Sequence, residues 1–151
     1  MPELSPTQKL QALLESLQPL LPAQQAVTQA RLTELWQQAT AALDNHDHET
    51  ALNAWSELVA AKPGESGCHF GYALTLQQLG QLELAGQHFS YAFALDPSDA
   101  ACAYRLGECL AALGYTVEAH DALLAAQQLC DLPHNPPHLR EMSLQLMKQL
   151  Q

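Results

Sequence analysis

The sequence predicts an all-α fold: three helix pairs stacked in a short curved solenoid, flanked by an N-terminal and a C-terminal helix. Three observations predict it. No segment alternates apolar and polar residues with the period of two that a half-buried strand requires. Small and large apolar residues recur every 34 positions through residues 30–131. The recurring set closes on a proline, which stops a helix.

The register is read most easily from "LELAGQHFSYAFALDP", residues 82–97. Ala85 has Ala51 and Ala119 at 34 residues on either side, and Phe89 has Trp55 and Leu123. Ala73 aligns with Ala39 and Gly107, and Leu76 with Ala42 and Leu110. Pro97 aligns with Pro63; the third copy has Asp131 there, with Pro133 two residues on. Gly80 is matched by Gly114 and, in the first copy, by His46. This is the tetratricopeptide pattern. Its logic is packing: Ala85 lets the second helix of a pair approach the first, and Phe89, one turn on, fills the gap. Gly80 supplies the left-handed turn between them. The pairs are expected at 30–45 with 49–61, 67–79 with 82–94, and 100–113 with 116–129. "PGESG" (63–67) and "DPSD" (96–99) join them, with Ser98 or Asp99 capping the following helix.

Residues 1–29 precede the repeats. Leu10, Leu13, Leu14 and Leu17 fall at i, i+3, i+4 and i+7, an amphipathic stripe that starts at Ser5 or Thr7 and ends or kinks at Pro19 and Pro22. Such a helix must cover something, either the first repeat of its own chain or a second subunit. Residues 132–151 follow the repeats. "DLPHNPPH" (131–138) is a proline-rich break, and a last helix over 137–150 carries Leu139, Met142, Leu146 and Leu150 on one face. It suits the cap that an open-ended stack needs.

Composition narrows the function. Nearly half of the 151 residues are apolar and 15% are charged, enough for a real core. Six basic residues against sixteen acidic ones give a formal charge of −10, which disfavours nucleic acid and anionic membrane surfaces as partners. No apolar run reaches the roughly 20 residues that span a bilayer, and no export signal is read at the N-terminus, so membrane insertion is not expected and a cytoplasmic location is. Cys68, Cys102, Cys109 and Cys130 are accordingly expected as thiols, small and mostly buried.

Catalytic chemistry is not legible. "HDH" (46–48) places two histidines in a turn at a spacing that points them apart. His134 and His138 lie in the proline-rich break and read as solvated; His69, His88 and His120 read as single histidines without partners. Cys109 beside Glu108 lacks the cation that a reactive thiolate needs. No phosphate-binding, dinucleotide-binding or nucleophile-elbow motif is present. The expectation is a binding protein rather than an enzyme, with no cofactor and no metal.

The first helix of each pair lines the concave side of such a stack. Trp36, Phe70 and Tyr104 share one position there and form either an aromatic ladder or ordinary core. Thr40, Leu74 and Glu108 lie one turn on, and Leu43, Gln77 and Ala111 after them. These nine residues describe a groove, apolar with scattered polar groups, suited to an extended peptide.

The central segment "HFGYALTLQQLGQLELAGQHFSYAFALDPSDAACAYRLGECLAALG" resembles the class II chaperones of bacterial type III secretion systems, over about residues 30–130. The likeness is greatest in "GYALTLQQLGQLELA" (71–85) and "YRLGECLAALG" (104–114). It implies a protein that holds hydrophobic translocators in the cytoplasm before export, with a Pro-x-Leu-x-x-Pro segment in the groove at Trp36, Thr40 and Leu43, continuing past Phe70, Leu74 and Tyr104. The family commonly has aromatics at all three first-repeat positions, whereas this chain has only Trp36. The resemblance also implies a homodimer through Leu10, Leu13, Leu14 and Leu17. The alternatives are a general tetratricopeptide adaptor or regulator, or a chaperone of a needle or effector subunit.

Overall fold

The computed structural model describes residues 3–17 and 28–151, and within them every regular element is an α-helix. α1 (Pro6–Leu17) is followed by three pairs: α2 (Gln29–Asp44) with α3 (His48–Ala61), α4 (Ser66–Gln78) with α5 (Leu82–Leu95), and α6 (Ala100–Ala112) with α7 (Thr116–Leu129). α8 (His138–Gln149) closes the chain. The helices of each pair pack on each other and on the next pair, and α8 packs on α7 and α6, a tetratricopeptide solenoid. Pro19 and Pro22 lie outside the described residues.

The repeat positions carry the core. Ala51, Ala85 and Ala119 are completely buried, as are Phe89 and Leu123, and Trp55 nearly so. A Cβ on Gly107 would lie 2.7 Å from Leu123, so the third pair needs glycine where the others have alanine. The three intra-pair turns share one geometry. Gly80 (φ 78°) and Gly114 (φ 88°) are left-handed, and His46 adopts φ 57° at the aligned place, a conformation that costs a side-chain-bearing residue about 1–2 kcal/mol. Each turn is closed by a six-to-one backbone bond: Asp47 to the Ala42 carbonyl, Gln81 to Leu76 and Tyr115 to Leu110, all at 2.9 Å.

The caps settle both open choices. Ser5 starts α1: its hydroxyl accepts from the Gln8 amide while Gln8 Oε1 accepts from the Ser5 amide, a capping box. Asp99 caps α6 by accepting from Ala101 and Cys102, while Ser98 turns back to Asp96.

Two pairs of glycines and tryptophans set the spacing of the first repeats. Gly67 and Gly71 lie four apart on α4, where a Cβ would meet Trp36 at 2.9 Å and Trp55 at 2.4 Å respectively. Glycine inside a helix costs roughly 0.5–1 kcal/mol relative to alanine, and here the cost makes room for two indoles in edge contact at 5.0 Å.

The proline-rich break is more ordered than its composition suggests. Asn135 is buried, donates from Nδ2 to the carbonyls of Ser98 and Leu129 at 2.8 Å, and accepts at Oδ1 from the Ala100 amide at 3.1 Å. It ties the end of α7 to the start of α6 and aims α8. On α8, Leu139 is buried, but Met142 is largely exposed and Ser143 takes the innermost place. Leu139, Leu146 and Leu150 of the expected face pack into the cluster around Tyr104, Met142 borders the cleft against α6, and Ser143 adds a small residue at the close approach to the neighbouring helices.

Candidate functional site

The nine groove positions come together on one side of the stack, along α2, α4 and α6, and their burial is graded. Trp36 is 41% exposed, Phe70 partly buried, and Tyr104 only 7% exposed. The aromatics therefore form no uniform ladder. Trp36 lies edge-on to Trp55, and Phe70 is edge-on to Phe89 with centroids 5.5 Å apart. Tyr104 packs into a core cluster with Leu139, Leu146, Met147 and Leu150, because α8 lies over it. Burial, and the adjacent Glu108 carboxylate, push its phenol pKa up.

The remaining positions are partly buried. Thr40 directs its hydroxyl to the carbonyls of Trp36 and Gln37, so it presents little unmet polarity. Leu43 and Leu74 continue the apolar floor, each packed against a core cluster. Gln77 donates from Nε2 to Glu108 Oε1 at 3.4 Å, joining α4 to α6, and Arg105 donates to the same oxygen at 3.1 Å. Ala111 lies one turn beyond.

A cleft lies at each end. The first, about 430 Å³, is bounded by Thr33, Trp36 and Gln37 of α2, Lys62 after α3, and Gly67 and Cys68 of α4. The second, about 440 Å³, lies between Tyr104, Glu108 and Ala111 of α6 and Met142, Gln145 and Gln149 of α8.

Elsewhere, Leu10, Leu13, Leu14 and Leu17 are exposed, and α1 buries none of its residues. Three of the four free cysteines are buried. Burial pushes Cys109 up to about 11 and raises Cys68 and Cys102 as well, the opposite of what a reactive thiol requires. Among the described residues no three metal-ligating side chains converge.

The reading of His69 and His88 as isolated is overturned. Their Nδ1 atoms are 3.1 Å apart, joining α4 to α5. His69 Nε2 donates to the Pro63 carbonyl at 2.8 Å, so its Nδ1 accepts and His88 Nδ1–H donates. Tyr72 and Tyr91 lie edge-on to His88 at 4.7 and 5.4 Å. Burial, then the charge of His69, hold the His88 pKa below its ordinary value. The pair is 19 residues apart in sequence, an offset that no helical period flags.

No family model matches the sequence, and no curated protein matches it. Solved structures do. A type III secretion complex from Aeromonas hydrophila aligns at a TM-score of 0.79 and 21% identity, over 94% of this chain and 94% of that one. The translocator chaperone SycD of Yersinia enterocolitica, solved with a peptide of the translocator YopD, aligns at 0.75 and 22%, over 82% of this chain and 95% of that one; SycD has also been solved as an alternative dimer. The TPR2B domain of yeast Sti1, in a pHsp70 complex, aligns at 0.68 and 18%, over 79% of this chain and 91% of that one. The fold is a tetratricopeptide solenoid. At these identities the likeness speaks for the fold alone.

Proposed function

We propose that the protein is a cytoplasmic type III secretion chaperone that holds an extended segment of a hydrophobic translocator in the groove of α2, α4 and α6. The carrying observation is the partly open row of Trp36, Leu43, Phe70 and Leu74 on consecutive first helices, on a backbone that aligns with SycD over most of its length. The mechanism is physical. A translocator's membrane-inserting segments aggregate when left in water, and a chaperone that covers part of the chain lowers its free concentration. The client is unfolded, so ordering it costs free energy and a few anchor side chains dominate affinity. The chain works by binding, not by catalysis. The exposed leucines of α1 then supply a homodimer contact, as SycD's own dimer suggests for a relative in fold.

Co-expression with a type III translocator tests this reading. The chaperone is expected to keep the translocator in the supernatant as a stable complex, and Phe70→Asp to return it to the pellet. A translocator that is equally insoluble with and without the chaperone contradicts the reading and favours an adaptor for another peptide.

A further inference from the structure

We infer that the cleft between α6 and α8 is a subsite for a basic side chain, an arginine or lysine of the bound segment. The inference rests on the groove reading above and names a chemistry for one end of it. Glu108 is the one charged side chain in that cleft's lining, which holds no lysine, arginine or histidine. Its carboxylate is already oriented: Arg105 and Gln77 both donate to Oε1. The Tyr104 phenol also lies within hydrogen-bonding reach of the carboxylate, and a carboxylate, with about four acceptor sites, has room for a further donor beside these three.

The Arg105 contact does not cancel this acceptor. It is an i, i+3 surface pair in which arginine is the more exposed partner, 40% against 28% for Glu108. Such pairs are weak, and Arg105 lies outside the cleft's lining. The rest of the wall matches a long cationic side chain. Met142 and Leu146 offer apolar surface for its methylenes, and the amide oxygens of Gln145 and Gln149 are further acceptors beside the carboxylate. The field of the whole chain, −10, has the sign that draws a cation in. The opposite cleft, around Trp36, carries one charge of each sign in its lining, Lys62 and Glu65, and has no such bias.

The test is calorimetric, with short Pro-x-Leu-x-x-Pro peptides carrying one arginine on the N-terminal or the C-terminal flank, each beside its glutamine counterpart. On the wild-type chain one arginine peptide is expected to bind about tenfold tighter than its glutamine form, the scale of one charge-assisted hydrogen bond, and to lose that advantage as salt rises. Glu108→Gln, checked for folding by circular dichroism, is expected to bind both forms alike. Equal affinity of arginine and glutamine peptides for the wild type overturns the subsite while leaving the groove intact. An arginine preference that survives Glu108→Gln places the cation elsewhere and overturns it too. Failure of every peptide to bind the wild type overturns the groove reading and the subsite with it.

Discussion

One position of the repeat carries Trp36 in the first helix pair and Tyr104 in the third, yet the first is 41% exposed and the second 7%. The repeat gives both the same direction. What differs is the neighbour. Beyond Tyr104 lies α8, whose Leu139, Leu146 and Leu150 join its cluster. Trp36 belongs to the first pair, and its ring rests on the bare backbone at Gly67. Repeat register thus sets where a side chain points, and the end of the stack sets whether it stays open. The open end is the more available for an apolar anchor, and the closed end trades that surface for stability and a polar rim.

The largest expected effect comes from opening the closed end. Asn135→Ala removes a buried side chain with three hydrogen bonds and leaves the Ala100 amide without a partner, while the Ser98 carbonyl keeps only His134 Nε2 and the Leu129 carbonyl only the Leu132 amide. At about 1 kcal/mol per bond it should cost about 3 kcal/mol, read from urea unfolding. It should also increase hydrogen exchange in α8 first.

Gly71→Ala strikes the other end. Its Cβ would sit 2.4 Å from Trp55, a buried ring with no room to retreat, and Trp55 in turn supports Trp36. Overpacking of this kind costs about 1–3 kcal/mol, seen as a lowered Tm with a shifted tryptophan emission. Gly67→Ala meets only the far edge of half-exposed Trp36 and should cost less.

The middle of the stack supplies the smallest effect, a pH dependence. Because the native pKa of His88 lies below 6.5, the unfolded chain takes up the proton first as pH falls. Stability should therefore be complete above about 6.5, decline as pH drops from there toward the native value, and level off below it. The urea midpoint of wild type minus that of His88→Gln, followed from neutral to acid pH, isolates this slope from the carboxylates.

Much of this was legible in the sequence, and the exceptions have physical reasons. The helix bounds follow from the 34-residue period and fall within a residue of those expected for α2 to α8, because alanine, the large apolar residue and the turn glycine each demand one place. The register of the nine positions along α2, α4 and α6 could be named for the same reason. The cover over Tyr104 could not, since it depends on how the break at 131–138 folds, and Asn135 reaches partners 35 and 37 residues away. The histidine pair depends on the lateral register of α4 against α5. Gly67 and Gly71 did leave a signal: two glycines four apart inside a helix mark a close approach.

The most direct measurement is calorimetry of a Pro-x-Leu-x-x-Pro peptide against wild type, Trp36→Ala and Tyr104→Ala, with the unfolding free energy of each measured alongside. Trp36→Ala is expected to lose at least about tenfold in affinity, the scale of an interface anchor, with a small change in stability. Tyr104→Ala is expected to lose about 3 kcal/mol of stability, as for a buried aromatic, and less affinity than Trp36→Ala. Wild-type affinity in Trp36→Ala would contradict the account, because the open end of the groove would then not be where the segment binds.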